Sequence, residues 1–149
     1  METIQKILAR AKNRAQEASL PYAGALTPQE AYEILQQAPH AKLVDVRTTA
    51  EFELVGRVPS AAHIEWAFYP GMVANADFTQ HLEKQVDKEA LVIFMCRTGG
   101  RSHNAAAVAA KLGFSEAYNM LEGFEGEANA ERQRTLINGW KHAGLPWHN

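Results

Sequence analysis

The fold class of this chain follows from one stretch, Leu91-Val92-Ile93-Phe94-Met95-Cys96-Arg97-Thr98-Gly99-Gly100-Arg101-Ser102. Its first five residues are all apolar, which is typical of a strand buried on both faces of a parallel sheet. The loop that follows contains two adjacent glycines, and the alanine-rich residues 104–112 predict a helix that ends at Gly113. A strand, a loop and a helix in this order form one unit of an α/β fold.

Similar units lie on both sides of this stretch. Capping boxes that begin at Thr27 and Thr48 each predict the start of a helix. Residues 69–76 have the least regular pattern, which favours a loop over one end of the sheet. The alternation predicts an open, mainly parallel β-sheet with helices on both faces. The other predicted strands are 43–46, 62–64 and 117–119, and the other predicted helices are 1–17, 28–37, 49–54, 77–85 and 131–142.

Length and composition bound the function. With 149 residues, 46% of them apolar and 21% charged, the chain is typical of one globular domain. Its net charge of −2 disfavours a general nucleic-acid-binding role, which is usually accompanied by a strong positive charge. No apolar run approaches the roughly 20 residues that a transmembrane helix needs, so we expect a cytoplasmic protein with no membrane contact.

The chain has a single cysteine, Cys96. One cysteine excludes an internal disulfide and a cysteine-rich zinc site. The six histidines form no close pair of the kind that binds a metal, so we expect neither a metal nor another cofactor.

The loop after the buried strand has the features of an anion site. Gly99 and Gly100 allow the backbone to curl so that its N–H groups point inward, beside the N-terminus of the following helix. Arg97 and Arg101 add positive charge, which favours the reactive thiolate form of Cys96 and attracts an anionic substrate. An inert core cysteine is the alternative, but it would not require two arginines and two glycines within five residues. His103 is a candidate base, although the direction of its side chain does not follow from the sequence.

Four short motifs occur together and in order along the chain. They are Leu43-Val44-Asp45-Val46-Arg47 with Glu51-Phe52; Gly56-Arg57-Val58-Pro59-Ser60-Ala61 with His63-Ile64; the cysteine loop; and Leu121-Glu122-Gly123-Phe124 with Gly139-Trp140 and Gly144-Leu145-Pro146. Because of these four motifs and their order, residues 26–147 resemble the rhodanese family of sulfurtransferases. Arg57 replaces the family's usual histidine and Ser60 its second glycine, while residues 125–138 resemble an insertion.

The resemblance implies a mechanism and a division of the chain. Cys96 would take the outer sulfur of a small anionic donor, such as thiosulfate, a persulfide or a polysulfide, and pass it to a thiol, cyanide or an acceptor protein. Asp45 and Arg47 would brace the site. Residues 26–149 would form the rhodanese-like domain, with residues 1–25 as a helix and lead-in packed on it. The residues expected to hold the donor and the persulfide are Arg97, Thr98, Gly99, Gly100, Arg101 and Ser102.

Several alternatives remain open. A rhodanese-like domain without catalysis would serve as a binding or regulatory module. A phosphatase or an arsenate reductase would use a similar loop, but the spacing here is Cys-x4-Arg, one residue shorter than the phosphatase pattern. Other side chains have two interpretations each: Trp66, Phe68, Tyr69 and Pro70 as packing or as a wall of the cysteine pocket, Trp140 and Trp147 as core anchors or ligand contacts, and Arg132 and Arg134 as a solvated face or an acceptor-protein patch.

Overall fold

A computed structural model describes residues 2–149, which form a five-stranded parallel sheet with the strand order β1-β7-β6-β2-β3. The strands are β1 (Gly24–Leu26), β2 (Lys42–Asp45), β3 (Ala62–His63), β4 (Ala67–Phe68), β5 (Val73–Ala74), β6 (Val92–Met95) and β7 (Ala117–Met120). The helices are α1 (Ile4–Glu17), α2 (Pro28–Gln37), α3 (Thr49–Leu54), α4 (Phe78–Gln85) and α5 (Gly100–Lys111). The predicted α/β class is confirmed.

The sheet separates two hydrophobic clusters. Along the central strand β6, Val92 and Phe94 point into the cluster that contains α4 and α5, whereas Ile93 and Met95 point into the one that contains α1 and α2. This alternation is the period-2 geometry of a strand, and all four side chains are fully buried. The continuous apolar run therefore reflects burial on both faces, as predicted.

Helix α1 packs against the sheet edge and is tied to α2 by charge. Gly24 in β1 lies so close to the backbone of Ala11 that no larger residue fits. Arg10 Nε and Arg14 Nη1 each donate to the Glu30 carboxylate at 2.7 Å. Burial raises the pKa of Glu30, but the hydrogen bonds from Arg14, the Thr27 N–H and Arg10 outweigh it and lower this pKa to about 2. The buried carboxylate therefore stays ionised and joins the two helices.

Three short strands differ from the sequence prediction. β1 was not predicted, and β4 and β5 form an antiparallel pair within and beside the segment predicted as a loop. These strands have only two or three residues each, too few for an alternating pattern to distinguish them from a loop. Pairing with β7 stabilises β1, which is a tertiary contact that local sequence does not reveal.

The predicted helix over residues 131–142 does not form. Asn129 Oδ1 accepts the N–H groups of Glu131 and Gln133 at 3.0 and 2.9 Å, an arrangement that replaces helical hydrogen bonds. Arg132 and Thr135 adopt positive φ angles of 64° and 75°, which break any helix at those positions. The prediction of a helix over residues 131–142 is therefore wrong.

Residues 125–138 instead form a closed loop. Thr135 N donates to Glu125 O at 2.9 Å, and Arg134, predicted as solvated, is half-buried and donates to Gly126 O. The chain then rejoins the domain at Trp140, whose N–H donates to Gly123 O. Trp140 is a core residue as expected, but the core role predicted for Trp147 is only partly met because its side chain is 41% exposed.

Candidate active site

Cys96 is the first residue after β6 and lies at the carboxyl end of the sheet. Its side chain is only 1% exposed, and its Sγ accepts the N–H of Gly99 at 3.1 Å. Ser102 Oγ lies 3.3 Å from the same sulfur. Gly99 caps α5 with a φ of 111°, so the sulfur lies at a helix N-terminus, where partial positive charge stabilises a thiolate.

The backbone of the cysteine loop is held by the segment that follows β7. Phe124 N donates to Cys96 O at 2.8 Å, and Glu125 N donates to Arg97 O at 3.1 Å. Gly123 has a φ of 75°, and a Cβ at this position would collide with the carbonyl oxygen of Arg97. The glycine of the C-terminal motif is therefore required by close contact with the cysteine loop.

Arg101 is engaged by a carboxylate from α3. Its Nη1 and Nη2 donate to Glu51 Oε1 and Oε2 at 2.8 and 3.0 Å, and both side chains are 19% exposed. Burial raises the pKa of Glu51, but the Arg101 hydrogen bonds and charge outweigh it and lower this pKa to about 2. Burial also lowers the pKa of Arg101, and the hydrogen bonds and charge of Glu51 more than reverse that effect.

Arg97 also has a carboxylate nearby, although the contact is looser. Its Nε lies 3.5 Å from Glu125 Oε2, and its side chain is 45% exposed. The two positive charges that the sequence places around Cys96 are thus accompanied by two negative charges from other segments. The charge of the site is therefore balanced, whereas the loop considered by itself predicts a cationic one.

A pocket of about 560 Å³ opens beside the cysteine loop on the side of these arginines. Its polar part consists of Thr48, Glu51, Arg97, Arg101 and Glu125. Its apolar part, which we call the apolar wall, consists of Ala50, Leu54, Val55, Tyr69 and Met72. Of the aromatic cluster considered above, Tyr69 lines this pocket, whereas Trp66 packs edge-on against Phe78 of the core.

The other loop residues have separate positions. Thr98 and Gly100 are exposed, and Ser102 is fully buried beside the sulfur. Asn119 of β7 donates through Nδ2 to Gly99 O at 3.3 Å, so the neighbouring strand also contacts the loop. The loop therefore combines a buried sulfur with an exposed tip.

Asp45 and Arg47 lie at the end of the neighbouring strand β2, and their side chains are fully buried. Arg47 Nη2 donates to Asp45 Oδ2 at 2.6 Å and to Gly56 O at 2.7 Å. Its guanidinium carbon lies 4.3 Å from the centre of the Phe124 ring. Since Phe124 N in turn donates to Cys96 O, this pair is linked to the cysteine loop without lining the pocket.

His103 does not contact Cys96 through any hydrogen bond found in residues 2–149. Its Nδ1 instead lies 2.6 Å from the hydroxyl oxygen of Tyr22. Over the same residues, no group of three or more His, Cys, Asp or Glu side chains is arranged to hold a metal ion. Nor does that part of the chain contain a helix of the length and apolarity that a membrane span requires.

Three charged residues near the site were not among the predicted site residues. Glu51 is predicted as part of a capping box and of the first motif, without a role in the site, and the capping box is present, with Thr48 N donating to Glu51 Oε1 at 3.1 Å. Glu125 belongs to the apparent insertion. Lys141 donates through Nζ to Val55 O at 2.9 Å, and burial lowers its pKa. A capping glutamate is the only one of the three for which the sequence contained a signal.

Comparison with known proteins agrees with this architecture. The family model of the rhodanese-like domain matches residues 27–130 of this chain. An uncharacterized Rickettsia conorii protein is 34% identical over 120 residues, covering 79% of this chain and 91% of its own length. The thiosulfate sulfurtransferase GlpE of Haemophilus influenzae is 32% identical over 106 residues, covering 71% and 89%. The crystal structure of Rv0390 from M. tuberculosis is 41% identical, with a TM-score of 0.79 over 85% of this chain and 98% of that one. Together with the cysteine loop at the end of β6, these matches show that the chain belongs to the rhodanese-like domain family.

Proposed function

We propose that this protein is a sulfurtransferase that carries sulfane sulfur on Cys96. The observation on which the proposal rests is the position of the Cys96 sulfur, 3.1 Å from the Gly99 nitrogen at the N-terminus of α5. A hydrogen bond from a backbone N–H and the partial positive charge of a helix start both stabilise a thiolate, the nucleophilic form of cysteine. The similarity to GlpE supports this choice of chemistry.

In the first step, the Cys96 thiolate attacks the outer sulfur of an anionic donor. A new S–S bond forms to Cys96, and the bond between the outer sulfur and the rest of the donor breaks. The leaving group takes the electron pair and departs as sulfite from thiosulfate, or as a thiolate from a persulfide. Arg97 and Arg101 attract the donor and stabilise this leaving anion, while the exposed loop tip at Thr98 and Gly100 provides backbone contacts.

In the second step, an acceptor thiolate or cyanide attacks the outer sulfur of the Cys96 persulfide. The acceptor leaves as a new persulfide or as thiocyanate, and the Cys96 thiolate is restored. Ser102, beside the sulfur, and Gly99 orient the cysteine in both steps. Because the chain has no second cysteine, the sulfur passes to an external acceptor, either a small thiol, cyanide or an acceptor protein.

Asp45 and Arg47 serve as positioning residues in this proposal. They are fully buried and contact the loop through Phe124, so they fix its position and do not contact the donor. Neither a metal nor another cofactor is required, because the donor itself supplies the transferred sulfur. We propose a cytoplasmic location for this reaction, with no nucleic acid or membrane as partner.

Intact-protein mass spectrometry tests the proposal directly. Incubation with thiosulfate or a polysulfide is expected to increase the protein mass by one sulfur atom, and cyanide or a thiol is expected to reverse the increase. Cys96→Ser is the matched control, since the hydroxyl preserves the shape but forms no persulfide. A protein that gains no sulfur from several donors contradicts the proposal.

The burial of Cys96 favours a second candidate, a non-catalytic binding module. A side chain with 1% exposure must become accessible before it reacts with a donor. Alkylation by iodoacetamide under native conditions distinguishes the two candidates. Rapid, complete labelling of Cys96 in the folded protein supports the sulfurtransferase, whereas labelling only at the rate of global unfolding supports the binding module.

A further inference from the structure

The pocket beside the cysteine loop, which is lined by Arg97 and Arg101 but not by Cys96 itself, has more apolar surface than a small inorganic anion needs. Leu54 and Tyr69 are strongly exposed at its mouth, and Met72 is exposed beside them. Its volume of about 560 Å³ lies within the roughly 300–1,000 Å³ typical of sites for organic small molecules. Thiosulfate has no apolar group, so it would leave the apolar wall in water. A ligand with an apolar part would instead remove that wall from solvent.

The charges in the same pocket favour a singly charged ligand. Arg101 is held by both oxygens of Glu51, and Arg97 lies near Glu125, so the two cations are accompanied by two carboxylates. A dianion would face both carboxylates as well as both arginines. A monoanion suffers less of this repulsion and loses less hydration on entry.

From the apolar wall and these paired charges together, we propose that the pocket selects an organic sulfane-sulfur donor, one whose leaving group is a singly charged anion carrying an apolar substituent. The inference rests on the proposed sulfurtransferase function and adds the class of donor. Arg97 faces the anionic end of the donor, and Leu54, Tyr69 and Met72 contact the substituent. These three apolar residues therefore determine specificity without taking part in bond formation.

The aryl thiosulfonate ion is a suitable probe because it differs from thiosulfate only on the leaving side. The Cys96 thiolate attacks the outer sulfur of benzenethiosulfonate, and an S–S bond to Cys96 forms. The bond between the outer sulfur and the sulfonyl sulfur breaks, and benzenesulfinate departs with the electron pair. With thiosulfate the same bonds form and break, and sulfite departs.

The experiment compares thiosulfate, methanethiosulfonate and benzenethiosulfonate as donors. The rate of Cys96 persulfide formation is measured for each and divided by the rate of the same donor with a free thiol, which removes intrinsic reactivity. We expect this normalised rate to increase in the order given. Leu54→Ala and Tyr69→Ala are expected to lower it about tenfold for benzenethiosulfonate and less than about twofold for thiosulfate.

Two further variants distinguish a direct contact between Tyr69 and the donor from a general effect on the β4–β5 pair. Tyr69→Leu keeps an apolar side chain and is expected to retain most of the preference for benzenethiosulfonate. Val73→Ala changes an exposed residue of β5 that does not line the pocket, and it is expected to leave all three rates unchanged.

The outcomes distinguish this inference from the proposed function. If the normalised rate of persulfide formation with thiosulfate equals or exceeds the rate with benzenethiosulfonate, the inference is wrong, but the proposed sulfurtransferase function still stands. A preference for benzenethiosulfonate that survives in both Leu54→Ala and Tyr69→Ala also overturns it, because the apolar wall would then have no part in selection. If no donor places sulfur on Cys96, the proposed function itself fails.

Discussion

Two of the arginine–carboxylate pairs near the cysteine loop, Arg47–Asp45 and Arg101–Glu51, differ mainly in burial. Arg47 and Asp45 are fully buried, and Arg47 also donates to Gly56 O at 2.7 Å. Arg101 and Glu51 have similar bidentate geometry but are 19% exposed and line the pocket. A ligand that enters the pocket can contact only the second pair. The same chemical pairing therefore serves packing in one place and ligand contact in the other.

The energetic consequence follows from solvation. A buried charge that loses its partner has neither water nor a counter-charge, so breaking such a pair costs far more than forming it gains. A pair at the edge of a pocket is rehydrated when one partner is removed, and its contribution to stability is small. Substitutions in the first pair should therefore change stability, and those in the second should change the reaction.

The largest expected effect is on the stability of an Arg47→Met protein. The free energy of unfolding is expected to fall by roughly 3–5 kcal/mol, because Asp45 is left charged and buried without its partner. Urea denaturation followed by circular dichroism measures this loss. The double variant Asp45→Asn with Arg47→Met is expected to recover part of it, since no unpaired charge remains. If the free energy of unfolding falls no more in Arg47→Met than in Arg101→Met, the two pairs do not differ in their contribution to stability.

The next effect is on the reaction of an Arg101→Met protein with thiosulfate. We expect kcat/KM to fall roughly 10- to 100-fold, because a cation that stabilises the leaving sulfite is removed and Glu51 is left unpaired in the pocket. The free energy of unfolding is expected to change by less than about 1 kcal/mol. Arg132→Met, at an exposed arginine outside the pocket, is the control. Full activity in Arg101→Met would show that this pair is as structural as the buried one.

The sequence predicted the central part of this arrangement because its signals are local. The apolar run before Cys96 predicts β6, and the capping boxes at Thr27 and Thr48 predict helix starts that are confirmed. The loop and its position at the strand end follow from the same stretch. These features depend on neighbouring residues, so one sequence is sufficient to recognise them.

The partners of the loop could not be predicted in the same way. Glu51 and Arg101 are fifty positions apart, and only the packing of α3 beside the loop brings them together. Glu125 approaches Arg97 because the segment after β7 packs against the cysteine loop, where Glu125 N donates to Arg97 O. The balance of charge in the pocket is thus a tertiary property, which explains why the loop alone predicted a cationic site.

A smaller effect is expected from Glu51→Gln. Glutamine preserves the capping box of α3, so the helix is retained while the negative charge is lost. The positive charge of Arg101 is then less neutralised, so kcat/KM for thiosulfate is expected to rise about two- to fivefold. This increase corresponds to the small free energy that a partly exposed ion pair contributes. The exposed neighbour Glu53→Gln is expected to change nothing. An equal gain in both variants would indicate a general charge effect and not release of Arg101.

The smallest effect is the dependence of stability on pH, and it tests the second pair in the absence of substrate. The pKa of Glu51 is lowered from its ordinary value of 4.5 to about 2 in the folded protein. A lowered folded pKa contributes stability above the unfolded value, and this contribution is lost as the pH falls from about 4.5 towards 2. Solvent screening of this partly exposed pair reduces its contribution below what the pKa shift alone would give. The wild-type protein should therefore exceed Glu51→Gln in unfolding free energy near neutral pH by about 1 kcal/mol, and the difference should shrink in acid. Urea midpoints of the two proteins along a pH series measure the difference, with Glu53→Gln in parallel. A constant difference at all pH values would mean that Glu51 acts through its shape and hydrogen bonds, and that its charge contributes nothing to the pair.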